Sequence, residues 1–145
     1  MNSFMARFTA IVEQWGFAPQ NEIDDGPTYA IEYRSNVFVL KLEKYRREFY
    51  ATVYKTGTVG PEVNLFNLLA YLSQSAQNVP VAQFYHEEED LEECYRKQLD
   101  HIACVLCDNL AAVTRFCGAG DYASRVADVG VFMVNKYPEL FKRET

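Results

Sequence analysis

Residues 28–54 constrain the fold more than any other stretch. They hold three runs with a period of two, TYAIEY, NVFVLKLE and EFYATVY, rich in β-branched and aromatic residues. The connections around Arg34-Ser35-Asn36 and Tyr45-Arg46-Arg47 are too short for crossovers, so consecutive strands must pair antiparallel, as a meander. In the middle strand Phe38, Leu40 and Leu42 fall on one face, the expected core face, and Val37, Val39, Lys41 and Glu43 on the other. The second face takes either the Glu32/Arg34 or the Tyr29/Ile31/Tyr33 set, and either Tyr50/Thr52/Tyr54 or Phe49/Val53. Lys41, Lys44, Arg46, Arg47 and Lys55 lie near the hairpins, but the interleaved Glu43 and Glu48 favour an ion-pair ladder over a phosphate site.

Helical periods flank the meander. Phe4, Phe8, Ile11, Val12 and Trp15 form one helical face, with Ser3 as expected N-cap and Gly16 as stop, followed by a polar loop through NEIDDGP. After the Gly/Pro-rich KTGTVGPE, Asn64 is placed to cap a short helix striped by Leu65, Leu68, Leu69 and Leu72. SQSAQNVPVAQFY carries no sustained period and reads as a linker. From His86 to Gly118 no proline or glycine intervenes, and Leu91, Tyr95, Leu99, Ile102, Leu106, Leu110, Val113 and Cys117 share one stripe of a single long helix. A tight glycine turn leads to a last helix, DYASRVADVGVFMVNKYPEL, with Asp121 as cap and Tyr122, Val126, Val129, Met133 and Tyr137 as its stripe.

The expected fold is therefore α+β: a three-stranded antiparallel meander packed with an N-terminal helix and a short helix, then a C-terminal antiparallel helical hairpin. One domain over residues 1–145 is expected, with the helix and meander in 1–76 and the hairpin in 86–140.

Charge narrows the partner class. The chain has a net charge of −6, and residues 81–145 hold seven basic and twelve acidic side chains. Nucleic-acid binding needs a basic stripe, so a basic protein is the expected partner and nucleic acid is not. The sequence lacks a signal-peptide pattern and a membrane-length apolar run, which places the protein in the cytoplasm, with its four cysteines as free thiols. Its tyrosine-bearing sheet face and an edge strand are the surfaces open to homodimer formation.

Two groups of residues on the long helix are candidate sites. Glu87, Glu88, Glu89, Asp90, Glu92 and Glu93 crowd its first turns, where the helix dipole favours negative charge, and form the candidate surface for a basic partner. His101, Cys104 and Cys107 have zinc-ligand chemistry, but no second ligand pair exists, and the C-x-x-C lies mid-helix rather than at the N-terminus a redox motif uses. The favoured reading makes Cys104, Cys107 and Ala111 small residues facing Ala123, Ala127 and Gly130 of the last helix. No catalytic motif is present, so a non-enzyme without cofactor is expected, with metal or small-molecule binding through the His101/Cys104/Cys107 face as the alternative.

The order of a helix ending in WGF, a polar loop, the meander YAIEYRSNVFVLKLEKYRREFYATV and the leucine helix NLFNLLAYL resembles small bacterial cytoplasmic proteins, some of them immunity proteins of polymorphic or contact-dependent toxin systems. The resemblance covers about residues 4–75 and implies a non-catalytic role in which the protein binds and neutralises a toxin domain.

Overall fold

A computed structural model describes residues 2–73 and 78–141. Helix α1 spans Ser3–Glu13, followed by strands β1 (Ala18–Asp24), β2 (Thr28–Arg34), β3 (Phe38–Tyr45), β4 (Glu48–Lys55) and β5 (Val63–Asn64). Helices α2 (Leu65–Leu72), α3 (Leu91–Gly118) and α4 (Tyr122–Lys136) complete the chain with a 3-10 turn at Pro138–Phe141. The class is α+β, and the sheet has five antiparallel strands in the order β1-β2-β3-β4-β5 rather than three.

The meander forms as its spacing requires. Tyr33, Leu40 and Val53 lie side by side in register, and so do Glu32, Lys41 and Thr52. The first row belongs to the buried face with Ile31, Phe38, Leu42 and Phe49, and the second to the outer face with Arg34, Tyr50 and Tyr54. The additional strand β1 occupies the expected NEIDDGP loop. Its burial is too slight to leave an apolar alternation; it is held by pairing with β2, interrupted by a register shift between Gln20 and Ile23, where Asn21 adopts a positive φ of 51°. Strand β5 has two residues, too few for any period.

Helices α1 and α3 cover the buried sheet face. Phe8 packs its ring 5.4 Å from Tyr33, whose hydroxyl shares a 2.7 Å hydrogen bond with Thr9. Tyr95 of α3 meets Phe49 edge-on at 5.6 Å. Beyond the end of β5 the outer edge of β4 is closed by one side chain, the 1% exposed Gln98. Its amide oxygen accepts from the Phe49 backbone N–H at 2.8 Å and its Nε2 donates to the Arg47 carbonyl at 2.7 Å, standing in for a neighbouring strand.

Several boundaries move. Asn2 rather than Ser3 caps α1, its side chain accepting from the Met5 N–H at 3.1 Å, whereas Asn64 caps α2 as expected. The long helix starts at Leu91, not His86, because the Asp90 side chain accepts from the Glu93 N–H and fixes the first turn there. Residues 78–90 form a strap without regular helix or strand, so Leu91 lies at the helix edge, 46% exposed, instead of in the core stripe. Of the expected linker SQSAQNVPVAQFY, residues 74–77 lie outside the described residues.

Helix α4 follows α3 through Ala119–Asp121, and Asp121 makes no side-chain cap hydrogen bond. It packs on α2, where Tyr71 meets Phe132 edge-on at 5.8 Å, as well as on α3. This placement overturns the expected contact between small-residue flanks. Cys104, Cys107, Ala111, Ala123, Ala127 and Gly130 are all exposed. No helix among the described residues is long and apolar enough to cross a membrane.

Candidate functional site

The acidic run divides between the strap and the helix. Glu87, Glu88, Glu89 and Asp90 precede α3, while Glu92 and Glu93 occupy its first turn. Half of the group is spent on local structure. Glu88 bonds Lys97 at 2.7 Å, which holds its carboxyl below the usual carboxylate range, and its backbone carbonyl accepts from Arg47 at 2.5 Å. Asp90 caps the helix. Glu93 pairs with Arg96, which also holds its carboxyl low, and the pairing continues from Arg96 to Asp100 at 2.9 Å and from Asp100 to Arg7 of α1 at 3.3 Å.

Glu87, Glu89 and Glu92 differ. All three are exposed and have no ion-pair partner among the described residues. Asp24, the last residue of β1, joins Glu92 from a distant part of the chain: the two line one groove with Phe4, Tyr29 and Tyr95. Lys44 is the cation in that groove, 5.0 Å from the centre of the Tyr95 ring. The ion pairs beneath tie α1 to α3, so the free carboxylates stand on a braced base.

The strap is itself anchored by contacts that no motif announces. His86 donates from Nε2 to Glu48 at 2.7 Å, and its ring stacks on Phe84. Tyr50 also bonds Glu48, and this bond first, opposed by slight burial and aided by His86, holds the Glu48 carboxyl low. Cys94, fully buried, places its thiol 3.3 Å from the Phe84 carbonyl.

The three residues of the metal alternative do not converge. His101 donates from Nε2 to the Val81 carbonyl at 2.8 Å and stacks on Phe66 with the rings 5° from parallel. A carbonyl only accepts, so this bond fixes the proton on Nε2. Cys104 sits 3.9 Å from Asp108. Among the described residues no group of three His, Cys, Asp or Glu is placed to hold a metal ion.

Compared with known proteins, the chain matches no family model, no curated protein and no solved structure. Its geometry is therefore the ground for a functional reading.

On the outer sheet face, Glu32 accepts from Asn21 at 2.7 Å, Tyr54 at 2.7 Å and Gln20 at 3.2 Å. Burial alone would raise its carboxyl, but these three bonds together lower it. Burial followed by the same contact pushes the Tyr54 phenol up to about 12. Lys41 pairs with Glu62 at 3.2 Å and Glu43 at 3.5 Å, but the wider ladder expected with Glu48 does not form, since Glu48 bonds His86 and Tyr50 instead. This network ties neighbouring strands together, while Arg34, exposed on the same face, has no ion-pair partner among the described residues.

Proposed function

We propose that the protein is a non-catalytic binding module of the immunity type, acting in the cytoplasm, whose acidic face at the start of α3 engages and neutralises a basic toxin domain. The observation that carries this reading is the division of the acidic residues. Glu88, Asp90 and Glu93 brace the helix, while Glu87, Glu89 and Glu92 remain exposed and without ion-pair partners among the described residues, Glu92 sharing a groove with Asp24. Free carboxylates on a rigid base favour a cationic surface without a large cost of ordering, and they speed its approach.

The test is a binding and inhibition assay with whatever toxin-like protein is found encoded next to this chain. Association should be tight, should slow as salt rises, and should weaken strongly in the Glu87→Lys/Glu89→Lys/Glu92→Lys variant. Absence of binding at micromolar concentration, or undiminished binding by that folded variant, overturns the assignment.

A further inference from the structure

A cleft of about 340 Å³ opens between α2, the edge of β4, the strap and the end of α4. Its size reaches the range of small-molecule sites and is far beyond a packing defect in a close-packed protein. Phe66 and Ala70 of α2, Val79 and Pro80 of the strap, and Met133 of α4 supply apolar walls. Exposed apolar side chains also gather at its rim: Val81 is 57% exposed and Leu140 76%. Such convergence marks a surface that gains by being covered.

Among the described residues the lining contains no Asp, Glu, Lys, Arg or His, although the chain carries a net charge of −6. A charged ligand would lose water here without gaining a counter-charge, so electrostatic complementarity selects an uncharged one. Besides the tyrosines Tyr50, whose hydroxyl is bonded to Glu48, and Tyr137, two carboxamides supply the polar contrast. The Asn64 oxygen is committed to the α2 N-terminus, accepting from the Phe66 and Asn67 N–H groups. The half-buried Asn67 side chain has no hydrogen-bond partner among the described residues.

The walls are preformed. His101 holds the strap at Val81, and Cys94 approaches the carbonyl of Phe84. A peptide adding as a strand is disfavoured, because Gln98 already occupies the Phe49 N–H and Arg47 carbonyl on that edge of β4.

We propose that this cleft binds an uncharged small molecule with an aromatic or alicyclic body and one hydrogen-bonding group, which the Asn67 carboxamide receives. The site is separate from the acidic face, and either assignment can fail without the other.

Fluorescence titration of the full chain with 1-aminoanthracene, a neutral aromatic amine, tests it. Saturable binding of one probe per chain is expected. Ala82→Trp, at an exposed strap position lining the cleft, should remove that saturation while the circular dichroism spectrum is kept. In displacement of the probe, Asn67→Leu should weaken 1-naphthol about fivefold, the worth of one hydrogen bond, and leave 1-methylnaphthalene unchanged. No saturable binding by the native chain, undiminished binding by folded Ala82→Trp, or equal effects of Asn67→Leu on both naphthalenes would overturn the assignment.

Discussion

Helices α3 and α4 carry equally regular apolar stripes, yet they do different work. Helix α3 buries eleven side chains and packs on α1, the sheet and α4, while α4 buries only Tyr122, Val129 and Met133. The stripe on α4 is continued on its opposite side by exposed Ala123, Ala127, Gly130, Val131 and Val134. Periodicity thus states that a helix has an apolar face, but the depth of the surface awaiting that face determines how much stability it contributes.

The largest effect expected from breaking this contrast is on α3. Leu99 is 2% exposed in the middle of the helix, and Leu99→Ala should lower the unfolding free energy by about 3 kcal/mol in a denaturant titration. A loss as small as that of an exposed substitution would mean that α3 is not the main beam of the core.

Gln98→Leu ranks next. The substitution nearly keeps the volume but leaves the Phe49 N–H and Arg47 carbonyl without the bonds they make to Gln98, at a cost of about 2 kcal/mol. Hydrogen exchange should accelerate most at the Phe49 amide. If that amide stays as protected as before, the side chain is not what closes the edge of β4.

How far the sequence carried differs in the same way between these regions. The meander and its buried face were legible because a period of two and short connections leave one pairing and one register. Strand β1 was not, since the polar APQNEID is held by backbone pairing and by outer-face bonds such as Asn21 to Glu32, and it shows no apolar alternation. The true start of α3 had a local signal in Asp90-Leu91-Glu92-Glu93, a cap residue followed three positions later by glutamate, which the uninterrupted acidic run masked. Cys104 and Cys107 fall outside the stripe of Leu99, Ile102 and Leu106, and they are exposed rather than packed against α4. What covers that flank depends on where α4 docks, and a helical period holds no such information. The acidic face was legible as composition only: which carboxylates are paired depends on where Lys97 and Arg96 reach, and Asp24 joins the groove of Glu92 only through the fold.

On α4 the effect should be smaller. Met133 lines the open cleft, so Met133→Ala enlarges a space already present rather than sealing in a new void, and about 1 kcal/mol is expected, below the usual core loss. Amides of α4 should exchange through local opening well before those of α3. Exchange of both helices only on global unfolding would remove the distinction between them.

The smallest energetic effect belongs to the cysteines, where reactivity separates the two sides of α3. Cys104 and Cys107 are exposed, whereas Cys94 and Cys117 are buried. Burial pushes the Cys117 thiol up to about 12, so the folded state favours its protonated form. That contribution is complete below the ordinary thiol range near 9 and is lost as pH rises towards about 12, and stability should decline across this window. A thiol reagent at neutral pH should therefore modify Cys104 and Cys107 in the native protein and reach the buried pair only in denaturant. Cys104→Ser and Cys107→Ser should each change stability by no more than about 0.5 kcal/mol. A larger loss, or slow modification of both, would show that this flank is covered in solution.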